Sequence, residues 1–199
     1  MLFGTDGIRG EVTDAPTSDE EALSLLIDDR KISARLMRLV GEALSRTVAV
    51  GSKIIIGWDD RPRNSELVAA LTVGLHLGGC KVIHGGICAT PGLHNALLET
   101  KSRLGCMITA SHNPVSDSGI KIFNSDGFKT YPQQELEISE LVTQLAAEDR
   151  EVDRTDQSIL EKPDVIFDAD AAHQNLLMIR QSEFCELFAS PIQKKLLIE

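Results

Sequence analysis

Ser111 is the residue of this chain best placed to do chemistry. It lies in Thr109-Ala110-Ser111-His112-Asn113-Pro114, directly after the apolar run Leu104-Gly105-Cys106-Met107-Ile108. A short continuous run of this kind predicts a strand buried on both faces of a parallel sheet, and ligands of open α/β sheets bind beyond the carboxyl ends of such strands. Pro114 fixes its own φ and steers Asn113 away from helix, while Asn113 can bond to neighbouring backbone, so the serine sits on a rigid turn. That placement suits phosphoryl transfer. Serine is a weak nucleophile unaided, and phosphoserine brings about −1.5 to −2 charge at pH 7, which cations or a metal ion must offset. Arg9 is one candidate: Gly7 and Gly10 beside it let backbone approach a ligand, and its planar fork of donors suits phosphate oxygens. His112 is a candidate proton carrier, with an unperturbed pKa of about 6.5, although a histidine adjacent to the nucleophile orients it more readily than it deprotonates it. The blander alternatives are a turn serine without chemistry, a surface ion pair at Arg9 and loop packing at His112.

Two further segments extend the pattern. Phe3-Gly4-Thr5-Asp6-Gly7-Ile8-Arg9-Gly10 opens the chain, Ile56-Gly57-Trp58-Asp59-Asp60-Arg61 ends a β-branched run, and Gly119-Ile120-Lys121 follows the serine loop. In this order they resemble the amino-terminal domain of the α-D-phosphohexomutases, most of all the bacterial branch that interconverts glucosamine 6-phosphate and glucosamine 1-phosphate. The resemblance covers nearly all of residues 1–150 and is weak beyond. It implies that Ser111 is phosphorylated in the resting enzyme, gives its phosphoryl group to a sugar monophosphate, and takes back the other group once the bisphosphate has turned around. It further implies Lys121 as the acid/base group near the accepting hydroxyl, His112 in support, Arg9 and Asn113 on substrate or phosphate, and Mg²⁺ bound to the phosphate of Ser111. The family's three carboxylate metal ligands belong to a second-domain loop that this sequence does not contain. For Lys121 the alternative is a solvated lysine on an edge strand. Asp59 and Arg61 read as a structural pair or as supports of the serine loop. Two departures stand out: Asp60-Arg61-Pro62-Arg63-Asn64-Ser65 lacks the family's glycine, and the acidic stretch 13–30 is longer than usual.

Strands and helices alternate along the chain. Ser18-Asp19-Glu20-Glu21 caps a short helix through Ile27. Ile32, Leu36, Leu39, Val40, Ala43, Leu44 and Val48 form the stripe of a core-facing helix, followed by a strand at 53–57, a helix at 65–77 closed by Gly78-Gly79, and a strand at 81–84. Thr90-Pro91 opens a helix through Glu99. Ile120–Phe123 and Phe128–Tyr131 flank Asn124-Ser125-Asp126-Gly127 as a hairpin that gives the sheet an antiparallel edge, and Leu136, Ile138, Leu141, Val142 and Leu145 mark a closing helix. Residues 148–163 read as a linker. A helix over 171–189, with Leu176, Leu177, Ile179, Phe184, Leu187 and Phe188 as its buried stripe, ends before Pro191, and a strand starts at 195–198. The expected fold is α/β: a mixed, mostly parallel sheet sandwiched by helices over 1–150, and the beginning of a second α/β domain over 151–199.

In 199 residues, 20 Lys and Arg stand against 30 Asp and Glu, a net charge of −10. That balance argues against nucleic acid or an acidic membrane as partner; the expected partner is a hexose or hexosamine phosphate, with self-association through the incomplete second domain. No apolar run approaches the roughly 20 residues of a spanning helix, and no targeting segment is read. Cys80, Cys88, Cys106 and Cys185 form no C-x-x-C pair and read as reduced thiols, pointing to the cytoplasm. The four-residue spacing of Cys80, His84 and Cys88 fits buried structural residues better than a metal site. Asp168 and Asp170 cap a helix. Rival readings are a phosphomannomutase or phosphoglucomutase, a short non-catalytic phosphosugar- or partner-binding protein, and a serine hydrolase, the last disfavoured because no G-x-S-x-G surrounds Ser111.

Overall fold

The computed structural model describes residues 2–14, 16–151 and 154–184. Seven strands form a single sheet in the order β2-β1-β6-β5-β3-β4-β7: β1 is Ile8–Val12, β2 Lys31–Ile32, β3 Lys53–Trp58, β4 Lys81–Ile87, β5 Leu104–Ile108, β6 Asp117–Asn124 and β7 Val165–Ile166. Four neighbouring pairs are parallel, while β6 runs antiparallel to both β1 and β5. The helices are α1 (Asp19–Asp29), α2 (Ala34–Arg46), α3 (Asn64–Leu77), α4 (Thr90–Glu99), α5 (Pro132–Glu148), α6 (Arg154–Leu160) and α7 (Ala169–Phe184).

The central strands are apolar throughout because both faces are covered. Along β3, Ile54 and Ile56 enter the larger core with α1, α2, α3 and α5, whereas Ile55 turns to the smaller core beneath α4 and α7. Likewise Cys106 and Ile108 of β5 face the larger core and Met107 the smaller, as a period of two requires. α2 and α3 touch through glycine: a Cβ on Gly74 would lie 2.1 Å from the Arg38 carbonyl oxygen, and one on Gly41 would lie 2.5 Å from that of Leu71. The glycine inside the α2 stripe is therefore a packing device.

Several expectations are corrected. The antiparallel element is not at the edge: β6 lies inside the sheet, with β1 as a further strand beyond it. Arg9, expected between two glycines that let backbone approach a ligand, lies on the strand β1. The turn at 124–127 forms, with the Gly127 amide donating to the Asn124 carbonyl, but its second arm is held by the single bridge Phe123↔Lys129 and not by a strand. The cap of α4 is Ala89, with Thr90 already helical. The segment read as a linker contains α6, and β7 beyond it joins β4. In α7 the anticipated buried stripe is exposed at Leu177, Ile179 and Phe184; periodicity marks the apolar face of a helix but not what covers it. Cys185, Leu187, Phe188, Pro191 and the strand expected at 195–198 lie outside the described residues. Cys80, Cys88 and Cys106 are buried free thiols, and burial pushes all three up, to about 11, 11 and 12. Asp168 caps α7, its carboxylate accepting from the Ala171 amide at 2.9 Å.

Candidate active site

The serine loop leaves the end of β5 and returns as β6. Ser111 stands at φ +56°, a left-handed backbone that non-glycine residues adopt rarely and that concentrates at functional sites. It is exposed, as are His112, Asn113 and Pro114.

A guanidinium holds this conformation. Arg61, just after β3, donates from Nη2 to the carbonyls of Ser111 (2.8 Å) and Asn113 (3.1 Å), and from Nη1 to those of Asp117 (2.8 Å) and Pro114. Its Nε faces Asp59 Oδ2 at 3.2 Å. Asp59 in turn accepts from the Thr109 hydroxyl at 2.6 Å, and that hydroxyl accepts from the Ser111 amide at 3.0 Å. Asn64, fully buried at the start of α3, donates to Asp59 and to the Ile108 carbonyl, and accepts from the Ser118 hydroxyl at 2.5 Å. The ends of β3, β5 and β6 are thereby bolted together under the loop. Asn113 is part of this scaffold: its side-chain amide donates to Asp117 at 2.9 Å.

The cationic side comes from β1 and β6. Arg9 Nη2 lies 3.4 Å from Ser111 Oγ and also pairs with Asp6. Asp6 receives Lys121 Nζ at 2.9 Å on one oxygen and Lys129 Nζ at 2.8 Å on the other. Burial by itself would raise the Asp6 carboxyl, but the hydrogen bonds and charges of Lys129 and Lys121 outweigh it and hold the group at about 2. The turn carrying Asp6 packs directly on β6: Gly7 is at φ +99°, and a Cβ there would lie 2.2 Å from the Ile120 carbonyl oxygen. Side-chain alternation along β6 is as expected, with Ile120 in the larger core and Lys121 paired in register with Met107, which faces the smaller one. Ser111 thus connects through Arg9 and Asp6 to Lys121, on an open surface. A cavity of about 260 Å³ borders the serine loop, lined by Arg61, Asn64 and residues 115–118 among others, and one of about 490 Å³ lies between α4 and α7.

Residues 1–149 match the family described as phosphoglucomutase/phosphomannomutase, alpha/beta/alpha domain I. The chain belongs to this family. Among its relatives are the phosphoglucosamine mutases of Streptococcus equi subsp. zooepidemicus, 39% identical over 140 residues, and of Roseobacter denitrificans, 38% identical over 141. These alignments take in 70% and 71% of this chain but only 28% and 29% of the relatives, so the chain spans under a third of the length of the curated relatives it matches. A crystal structure from Thermus thermophilus, assigned as a phosphomannomutase, aligns with TM-score 0.57 and 28% identity, over 70% of this chain and 29% of that one.

For a phosphohexomutase domain, the structure brings Ser111, Arg9 and Lys121 into one network. His112 stands on the same loop, exposed and without a hydrogen bond among the described residues. Lys121 is not the solvated edge-strand lysine of the alternative reading: it is interior to the sheet, mostly covered and ion-paired. Sequence reading missed Asp6 and Lys129 as members of the network, and Asn64 as the bolt beneath the loop. Ile8, Gly10 and Val12 do alternate with Arg9 and Glu11, a signal for β1 that the glycines obscured. Nothing local distinguishes Asn64 from an ordinary helix-start asparagine.

Proposed function

We propose that this chain is the nucleophile-bearing part of a phosphohexomutase, with Ser111 as phosphoryl carrier and glucosamine 6-phosphate and glucosamine 1-phosphate as the substrate pair. One observation carries the reading: an exposed serine hydroxyl at positive φ, its loop carbonyls gripped by Arg61 and its oxygen faced by Arg9. The phosphoglucosamine mutases among the relatives favour the hexosamine pair; the phosphomannomutase neighbour supports hexose phosphates as the second reading.

In the forward half-reaction, a sugar hydroxyl oxygen bonds to the phosphorus of phospho-Ser111 as the bond to Ser111 Oγ breaks. The hydroxyl's proton is lost and Oγ is left to be protonated. After the bisphosphate turns around, Oγ attacks the other phosphorus and the sugar oxygen leaves. Arg9 supplies charge and a donor fork to the phosphoryl oxygens. Lys121, an ammonium in its pair with Asp6, gives a proton to the departing Ser111 Oγ and takes up the one lost by the accepting hydroxyl, His112 supports it, and Asn113 keeps the loop in shape through Asp117. Mg²⁺, which the family resemblance implies, would offset phosphate charge when bound, and the phosphate of Ser111 is the ligand this chain would offer. Among the described residues no group of three or more His, Cys, Asp or Glu converges on a point that could hold an ion, and the neighbours of Ser111 are cationic. The described residues alone do not make a Mg²⁺ site. A surface this open also lacks the walls that exclude water, so turnover calls for further protein around it. None of the described helices is long and apolar enough to cross a membrane.

In a full-length chain bearing this domain, Ser111→Ala should abolish phosphoryl exchange with labelled glucosamine bisphosphate. Retained exchange would refute the role of Ser111, and turnover of hexose phosphates alone would replace the substrate pair.

A further inference from the structure

The loop from β6 to α5 contributes a lysine that neither the serine motif nor the glycine-rich opening contains. Lys129 Nζ reaches across the amino-terminal turn to Asp6 Oδ1 at 2.8 Å and to the Thr5 carbonyl at 3.3 Å. With Arg9 and Lys121 it makes three cations around a single carboxylate, leaving two positive charges uncompensated beside Ser111 in a chain whose net charge is −10. A phosphoserine or phosphate dianion carries about −2, which would neutralise the cluster. Arg9 has capacity in reserve. Its Nη2 is shared between Asp6 and a long contact to Ser111 Oγ, and its Nε is buried with no hydrogen-bond partner. Leaving a buried charged donor unpaired is costly, so a group that brings acceptor oxygens to Arg9 is favoured.

We propose that Asp6 is a resident counter-anion of the phosphate site and Lys129 its third cation: Asp6 holds Arg9, Lys121 and Lys129 together while Ser111 is bare, and yields Arg9 to a phosphate dianion placed at Ser111. This deepens the reading of Ser111 as phosphoryl carrier and rests on it. It assigns opposite signs to two residues that touch each other. Lys129 attracts the dianion directly, whereas Asp6 competes with it. A carboxylate whose role was only to brace the turn would behave differently, because its loss would scatter the cations and weaken anion binding.

The test is titration of the 199-residue protein with inorganic phosphate at low ionic strength, read by calorimetry. Lys129→Met should weaken binding about tenfold and Asp6→Asn should strengthen it about tenfold, each being one unit charge gained or lost near the ligand in partly solvated surroundings. Both gaps should narrow as salt is added. Weakened or unchanged binding in Asp6→Asn, unchanged binding in Lys129→Met, or no saturable binding by the parent overturns the proposal. Circular dichroism confirms the fold of each variant. Should Asp6→Asn not fold, Lys129→Met decides the matter, since its lysine is partly exposed and its stem is kept. Binding is read without turnover. Normal phosphate responses with Ser111-independent exchange would therefore remove the carrier reading alone, and absent responses with Ser111-dependent exchange would remove this proposal alone.

Discussion

Replacing Arg61 by methionine keeps the aliphatic stem and removes the guanidinium that grips the serine loop. Four backbone carbonyls, those of Ser111, Asn113, Pro114 and Asp117, lose the guanidinium donor at once, Pro114 keeping the Asp117 amide, and Asp59 loses its ion partner. Hydrogen bonds to charged groups contribute about 1.5–3 kcal/mol each when both partners are shielded. Three of these carbonyls belong to exposed residues, which water can re-bond, and Asp59 keeps Thr109 and Asn64. The realised loss is therefore nearer to two full bonds than to four, about 3 kcal/mol, or about 10 °C in the melting temperature of a domain this size. Thermal unfolding followed by circular dichroism measures it, and amide hydrogen exchange over 111–118 locates it: the Asn113 and Asp117 amides, bonded inside the loop to Ala110 and Pro114, should lose protection first. Arg61→Lys restores the charge but not the fork, and should recover less than half of the loss. A melting temperature within about 2 °C of the parent, with loop exchange unaltered, would show that the loop keeps its shape without Arg61 and would refute the clamp.

Two further outcomes are expected in the scaffold. Burial, with the nearby charge of His76 adding to it, holds the His84 imidazole at about 4 against an ordinary 6.5, where it meets the Thr72 hydroxyl at 2.8 Å and the edge of Trp58. The unfolded chain then binds more protons between those values, so stability present above pH 6.5 declines as pH falls toward 4, by about 3 kcal/mol at most; urea midpoints over that range should fall less steeply in His84→Gln, and parallel curves would contradict the cause. Gly74→Ala gains about 1 kcal/mol of helix propensity but forces a methyl to 2.1 Å from the Arg38 carbonyl oxygen. Overpacking between α2 and α3 should win by about 2 kcal/mol in urea unfolding, and a stabilised variant would show that the helices part freely.

What the chain's local pattern determined is considerable. The run 104–108 is buried on both faces because its residues are apolar on both, and Ser111 follows it on a turn whose neighbours Asn113 and Pro114 resist helix. The stripe from Leu36 to Leu44 faces the core. Each of these follows from neighbours in sequence, which is where propensity and periodicity act. What tertiary structure decided lies between residues far apart. Lys129 meets Asp6 across 123 positions, and Arg61 meets Ser111 across 50; no local pattern carries such pairings. β1 exists as a strand because β6 lies beside it, and β6 is interior because β1 comes back to cover it. The apolar stripe of α7 shows the reverse case: its composition asked for a covering that the described fold does not supply. The nucleophile was legible because a strand followed by a rigid turn is a local object. Its charge environment was not, because attraction between ions depends on distance in space, and only the folded chain sets that distance.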